Sequence, residues 1–182
     1  MIRVGQRIPD VQLEVFHKDY FERVRLRDRR GHWLMLLFHP ADFTFVCPTE
    51  LAAIAEQQPR LDELEADTIS VSTDTLYAHK AWHESSHLVR RISFPMGAAP
   101  SGQLSRTFGV YDERTGLAMR ATYLIDPDGI GRASKCTTTQ SAATRLSSSA
   151  SLRRQRSCAS TARSSAQHPG TTATPCSTPR PT

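Results

Sequence analysis

The sequence predicts an α/β fold. Three observations carry that expectation. Short apolar runs alternate with helix-like segments from residue 33 to residue 129. The first run, "WLMLLFHP", is almost continuously apolar, as in a strand covered on both faces. The 182 residues suffice for one domain with a sizeable core.

The elements follow in order. Residues 33–40 read as a buried strand ending at Pro40. Residues 48–66 read as a helix, with Pro48 in the first turn, where a missing N–H costs nothing. Leu51, Ile54 and Ala55 share one face of it. Pro59 should kink or end that helix and leave Leu61 and Leu64 on a second, short segment. Residues 67–74 predict a strand, and 75–86 a helix bearing Tyr77 and Trp82. Residues 101–110 predict a short helix closed by Gly109. Residues 116–129 predict a strand ending in an Asp-Gly turn. Strands alternating with helices imply parallel strand pairs.

Beyond residue 134 the pattern stops. Residues 135–182 hold 7 Lys+Arg, no acidic residue, and only Leu146 and Leu152 as large apolar side chains. Such a segment buries too little surface to offset the entropy of ordering, so it is expected to be disordered. The net charge of +5 splits accordingly, into −2 over residues 1–134 and +7 over the tail. The tail lacks the interleaved aromatics that stack on bases, which argues against nucleic acid as a partner. The N-terminal residues show no signal-peptide pattern, and no apolar run reaches the roughly 20 residues of a membrane span. The chain therefore reads as soluble and cytoplasmic.

Cys47 is the only cysteine in the first 134 residues; Cys136, Cys158 and Cys176 follow. No CxxC and no zinc-type spacing occurs, so no metal is expected. His79, His83 and His87 stand at i, i+4 and i+8, which reads as a solvated helix face rather than a metal site.

Cys47 closes the stretch "FHPADFTFVC" and opens a predicted helix. Only a thiolate attacks well, and a helix N-terminus offers free N–H groups and the positive end of a dipole. Thr44, three residues earlier, can aim its hydroxyl at the same space, and Pro40 can shield the sulfur from water. An ordinary buried cysteine is the competing reading of Cys47 taken alone.

The flanks decide between them. Pro40, Thr44 and Cys47 form the pattern P-x-x-x-T-x-x-C within "PADFTFVCPTE", which closely resembles the active-site loop of the peroxiredoxins. The resemblance continues through "VSTDTLYAHKAWHE", "FPMGAAPSGQLSRTFGV" and "GLAMRATYLIDPDG", covering roughly residues 1–134. Within that family it is nearest to the peroxidase component of the bacterial alkyl hydroperoxide reductases. It implies a thioredoxin-like fold, a mixed sheet flanked by helices. It implies that Cys47 is the peroxidatic cysteine, attacking a peroxide and becoming a sulfenic acid. It makes Thr44 the hydroxyl that bonds thiolate and peroxide, Pro40 the shield, and Arg120 the cation that steadies both. It implies hydrogen peroxide and organic hydroperoxides as substrates and no cofactor. The implied reductant is thioredoxin or a flavoprotein disulfide reductase, and the implied assemblies are homodimers and rings of dimers.

There are departures. His39 stands where the family has an aromatic, "GAAP" lacks the usual acid, and Pro59 interrupts a continuous helix. The "E-V-C-P" motif that carries the resolving cysteine is missing, and Cys136, Cys158 and Cys176 have other neighbours. Reading the tail's codons one base out of step allows "E-V-C-P" and other family strings. Loss of one base after Ser134 would thus account for residues 135–182 as a frameshift product. The competing reading is a natural Ser/Thr/Arg-rich linker. A peroxidase with impaired turnover is the function expected; a non-catalytic remnant or holdase-like binding protein is the alternative.

Overall fold

A computed structural model describes residues 2–136. The predicted disorder and frameshift of the tail fall on residues outside that range, apart from Lys135 and Cys136. Along the chain come β1 (Gln12–His17), β2 (Tyr20–Arg25), β3 (Trp33–Phe38), α1 (Cys47–Ala55), α2 (Gln58–Asp62), β4 (Ala66–Ser72), α3 (Leu76–Ser85), β5 (Met96–Ala98), α4 (Gln103–Phe108), β6 (Tyr111–Asp112), β7 (Leu117–Ala118), β8 (Ala121–Ile125) and β9 (Gly131–Cys136). Seven strands form one sheet in the order β2-β1-β5-β4-β3-β8-β9. The pairs β3/β4 and β4/β5 are parallel, and the outer pairs are antiparallel. This is the mixed, helix-flanked sheet of the thioredoxin-like expectation.

β3 is central and all six of its residues are buried. Its alternation sorts the two sides of the sheet. Leu34, Leu36 and Phe38 join a core with Phe108 of α4 and Ala121, Tyr123 and Ile125 of β8. The rings of Phe38, Phe108 and Tyr123 meet at centroid distances of 4.9–5.9 Å. Trp33, Met35 and Leu37 point to the other side, where α1 and α3 lie.

The helix predicted over 48–66 is broken as expected. α1 ends at Ala55, Pro59 occupies the first turn of α2, and Leu61 and Leu64 are both buried. α3 is capped by the Thr75 hydroxyl, which accepts the Ala78 N–H at 3.3 Å. Gly109, at φ 73°, closes α4 in the left-handed region.

Some expectations need correction. The strand predicted over 116–129 is two strands: β7 pairs with β6 in a separate ribbon, while β8 joins the main sheet. The break falls at Met119–Arg120, where the chain changes partners. β1, β2, β5, β6 and β9 had no clear sequence signal. The β1–β2 turn shows why: it places Lys18 and Asp19 at φ 48° and 68°, a conformation usually marked by Asn-Gly. His79 is not on a solvated face; it is fully buried. The compositional boundary at residue 134 falls inside β9, whose ladder runs on to Lys135 and Cys136. Among the described residues no helix is long and apolar enough to cross a membrane, and no group of acidic, His or Cys side chains could hold a metal.

Candidate active site

The chain leaves β3 at the sheet centre and enters the loop 39–46. The His39 N–H still bonds the Val71 carbonyl at 3.0 Å, so the loop starts from a fixed point. Pro40 follows, half-buried. At the far end Cys47 opens α1, with Pro48 in the first turn as the sequence predicts. The Cys47 side chain is completely buried.

Arg120 reaches it from 73 residues away. Its Nη2 lies 3.3 Å from Cys47 Sγ and its Nε donates to Glu50 Oε2 at 3.0 Å. Glu50 stands one turn along α1 from Cys47, so both face the same guanidinium. Guanidinium has donors only and stays charged, so the sulfur form that matches it best is the thiolate. The break between β7 and β8 is what allows this. Arg120 lies outside both ladders, on the side of the sheet that carries α1.

Of the four residues expected at the site, the structure brings Cys47 and Arg120 into contact. Pro40 and Thr44 lie on the same loop, but the Thr44 hydroxyl donates to the Ala41 carbonyl at 3.2 Å rather than to the sulfur. Sequence reasoning overlooked Glu50. The signal was its i+3 spacing from Cys47 within "CPTE".

Sequence reasoning also passed over a buried polar group behind the loop. Asp42 Oδ1 faces His39 Nε2 at 3.1 Å, and Asp42 Oδ2 faces His79 Nδ1 at 2.6 Å. Burial alone would raise the Asp42 carboxyl. Hydrogen bonds from His39 and His79, with their charges, outweigh it and hold the group below its ordinary 3.8. The Asp42 N–H donates to Asp74 at 2.8 Å. Phe43 takes a left-handed φ of 56°, costing on the order of 1 kcal/mol. Its ring lies 6.3 Å from that of Trp82. Phe45 is 98% exposed, next to a half-exposed Val46.

Cys136 is exposed on β9, opposite Ala121. Directly paired residues share a face, so Cys136 lies on the Ala121–Tyr123 side and Lys135 on the Cys47 side. Burial raises the Tyr123 phenol, and the charge of Cys136 nearby raises it further, as a thiol on that side would.

Residues 4–134 match the family model described as "AhpC/TSA family". Alkyl hydroperoxide reductase C of Bacillus subtilis is 45% identical over 130 residues, 71% of this chain and 70% of that one. The Staphylococcus aureus protein of the same name is 48% identical over 118 residues, 65% of this chain and 62% of its own length. The crystal structure of Enterococcus faecalis AhpC superposes with a TM-score of 0.80 at 34% identity, covering 96% of this chain and 100% of that one. Mycobacterium tuberculosis AhpC gives 0.76 at 27% identity, covering 88% and 95%. A buried thiol held by an arginine at the mouth of a helix, in this fold and with these relatives, leaves one assignment: the chain belongs to the AhpC/TSA family of peroxiredoxins.

Proposed function

We propose that this chain is a cytoplasmic thiol peroxidase that reduces hydrogen peroxide and organic hydroperoxides at Cys47, with turnover limited by the lack of a resolving motif. The observation that carries the reading is the Arg120 guanidinium 3.3 Å from a buried Cys47 sulfur at a helix start. The names of the relatives, alkyl hydroperoxide reductase C, support the substrate class.

The thiolate attacks the distal peroxide oxygen and a sulfur–oxygen bond forms. The O–O bond breaks and the alkoxide or hydroxide takes up a proton as alcohol or water. Cys47 is left as a sulfenic acid, oxidised by two electrons. Arg120 holds the sulfur and offers its remaining N–H groups to the peroxide, while Glu50 fixes the guanidinium plane. Thr44, by turning from Ala41, would bond the peroxide, and Pro40 keeps bulk water from the sulfur.

The second half-reaction needs a thiol. Cys136 points to the opposite face of the sheet from Cys47, so it does not serve while β9 stays paired. Cys158 and Cys176 lie outside the described residues. Turnover then depends on them or on an external reductant, thioredoxin or a flavoprotein disulfide reductase. Within this reading the tail is a frameshift product. Sequencing the gene across the Lys135 codon tests that part: no single-base insertion restoring a frame through "E-V-C-P" would end it.

Stopped-flow peroxide consumption, with and without a thioredoxin system, tests the activity. We expect stoichiometric loss of the Cys47 thiol far faster than for a free thiol, abolished in Cys47→Ser. A rate no greater than a free thiol's would overturn the proposal.

A further inference from the structure

Residues 23–30 carry Arg23, Arg25, Arg27, Arg29 and Arg30 against one acid, Asp28. Three of these arginines have acidic partners. Arg23 pairs with Glu14 at 3.3 Å, Arg27 with Asp10 at 3.0 Å, and Arg29 with Asp67 at 3.5 Å. Among the described residues the Arg30 side chain makes neither an ion pair nor a hydrogen bond.

Arg30 lies instead against the turn between β8 and β9. From the place a Cβ would take on Gly129, Arg30 Nε is 3.4 Å away and Arg7 Nη1 is 3.8 Å away. Two guanidinium groups thus converge on a residue without a side chain, whose φ of 80° suits glycine. Both segments are tied to this turn. Arg7 Nη1 donates to the Asp128 carbonyl at 2.8 Å, and the Ile8 N–H donates to the Gly129 carbonyl at 2.9 Å. The Gly31 N–H, next to Arg30, donates to the Pro127 carbonyl at 2.9 Å. Beside Gly129 is a shallow depression with Arg30 at its edge and buried Ile8, Leu26, Leu34 and Ile125 beneath.

Two cations brought to one point repel each other unless an anion joins them. The carboxylates of the turn do not. Asp126 Oδ1 accepts the Asp128 and Ile130 N–H groups, and its Oδ2 accepts from Arg132. Asp128 is exposed and makes no ion pair, so one negative charge stands near two positive ones. Arg30 spends none of its side-chain N–H groups on the described residues, and Arg7 spends one.

We propose that Arg7 and Arg30 form an oxyanion site beside Gly129 that takes a phosphate group. Two donor forks from separate segments match a tetrahedral dianion, whose oxygens accept from both at once. A carboxylate is planar and singly charged, and one fork satisfies it. Phosphate replaces the cation–cation repulsion with two charge-assisted pairs, and glycine leaves the approach open. The chemistry is the same for free phosphate and for the terminal group of a nucleotide. Arg30 precedes the start of β3 and Cys47 follows its end, which sets the two sites on the order of 20 Å apart. Phosphate therefore does not compete with peroxide, and the site stands whatever Cys47 does.

Calorimetric titration of the full chain with inorganic phosphate tests this, at fixed ionic strength and about pH 7.5, where phosphate is mostly a dianion. Saturable binding is expected, with acetate at least about tenfold weaker. R30Q and R7Q should each weaken phosphate by at least about tenfold. R25Q removes an exposed, unpaired arginine outside the depression and should leave the affinity unchanged. Phosphate should raise the melting temperature of the wild type and R25Q but not of R30Q. ADP tells the two sources apart: tighter binding than phosphate assigns a nucleotide, and equal or weaker binding assigns the free ion. The proposal is overturned if neither phosphate nor ADP saturates, if acetate binds equally well, or if R25Q loses as much affinity as R30Q, which is diffuse attraction to a basic surface.

Discussion

At Cys47 the decisive contact is the single guanidinium that touches both Sγ and Glu50. Arg120→Met removes the donor to the sulfur and leaves Glu50, largely buried, without its cation. We expect the peroxide reaction of Cys47 to slow by about 10²–10³-fold in stopped flow. Arg120→Lys should rescue little, because one ammonium cannot hold sulfur and carboxylate in the same fork. Behind the loop, Asp42→Asn should destabilise the fold by about 3 kcal/mol near neutral pH in urea unfolding, because two buried histidines lose a shared anion. The folded-state pKa of Asp42 lies below the unfolded 3.8. Its stabilisation is therefore complete well above that value and fades as pH falls through the folded-state value. The deficit of the asparagine variant should shrink only in acid, below about pH 4.

Among the elements, α4 shows how a short helix is held at both ends. Gly102 and Gly109 flank it in the left-handed region, at φ 67° and 73°. A Cβ at Gly102 would also come within 2.4 Å of the Tyr111 ring. Gly109→Ala should cost about 1 kcal/mol for its backbone alone. Gly102→Ala should cost clearly more, visible as a larger drop in the urea midpoint. The elements also divide sharply in how readily they could be read. β3 and β4, α1 with its proline-marked break, and α3 carried period, caps and breakers, and they stand where expected. β1 and β2 mix charges into their alternation and turn through Lys18–Asp19, so nothing local marks them. β5 has three residues and gains its strand character from neighbours on both sides. The place of Cys47 at the start of α1 was legible because a loop motif is local, whereas the Thr44 hydroxyl bonds the Ala41 carbonyl rather than the sulfur. The Cys47–Arg120 pair was expected from the resemblance alone, since no local pattern links residues 73 positions apart. The burial of His79 was invisible, because helical spacing does not say which face meets a sheet.

For the whole molecule, the question is how an oxidised Cys47 returns to thiol. Only Cys47 and Cys136 fall among the described residues, and the sheet stands between them. Cys136→Ser should leave both the peroxide rate and the lifetime of the sulfenic acid unchanged, measured by trapping with a dimedone-type reagent. A shortened lifetime in the wild type relative to that variant would mean that β9 unpairs to deliver its thiol.

The facing of β9 has a practical side as well. Cys136 presents an accessible thiol one strand from Ala121, the neighbour of Arg120, while Cys47 is sealed. With Cys158 and Cys176 replaced by serine, a maleimide dye or nitroxide would attach at Cys136 alone under native conditions. The probe would watch the Cys47 loop from behind the sheet, recording its motion and any oxidation without occupying the space beside the sulfur.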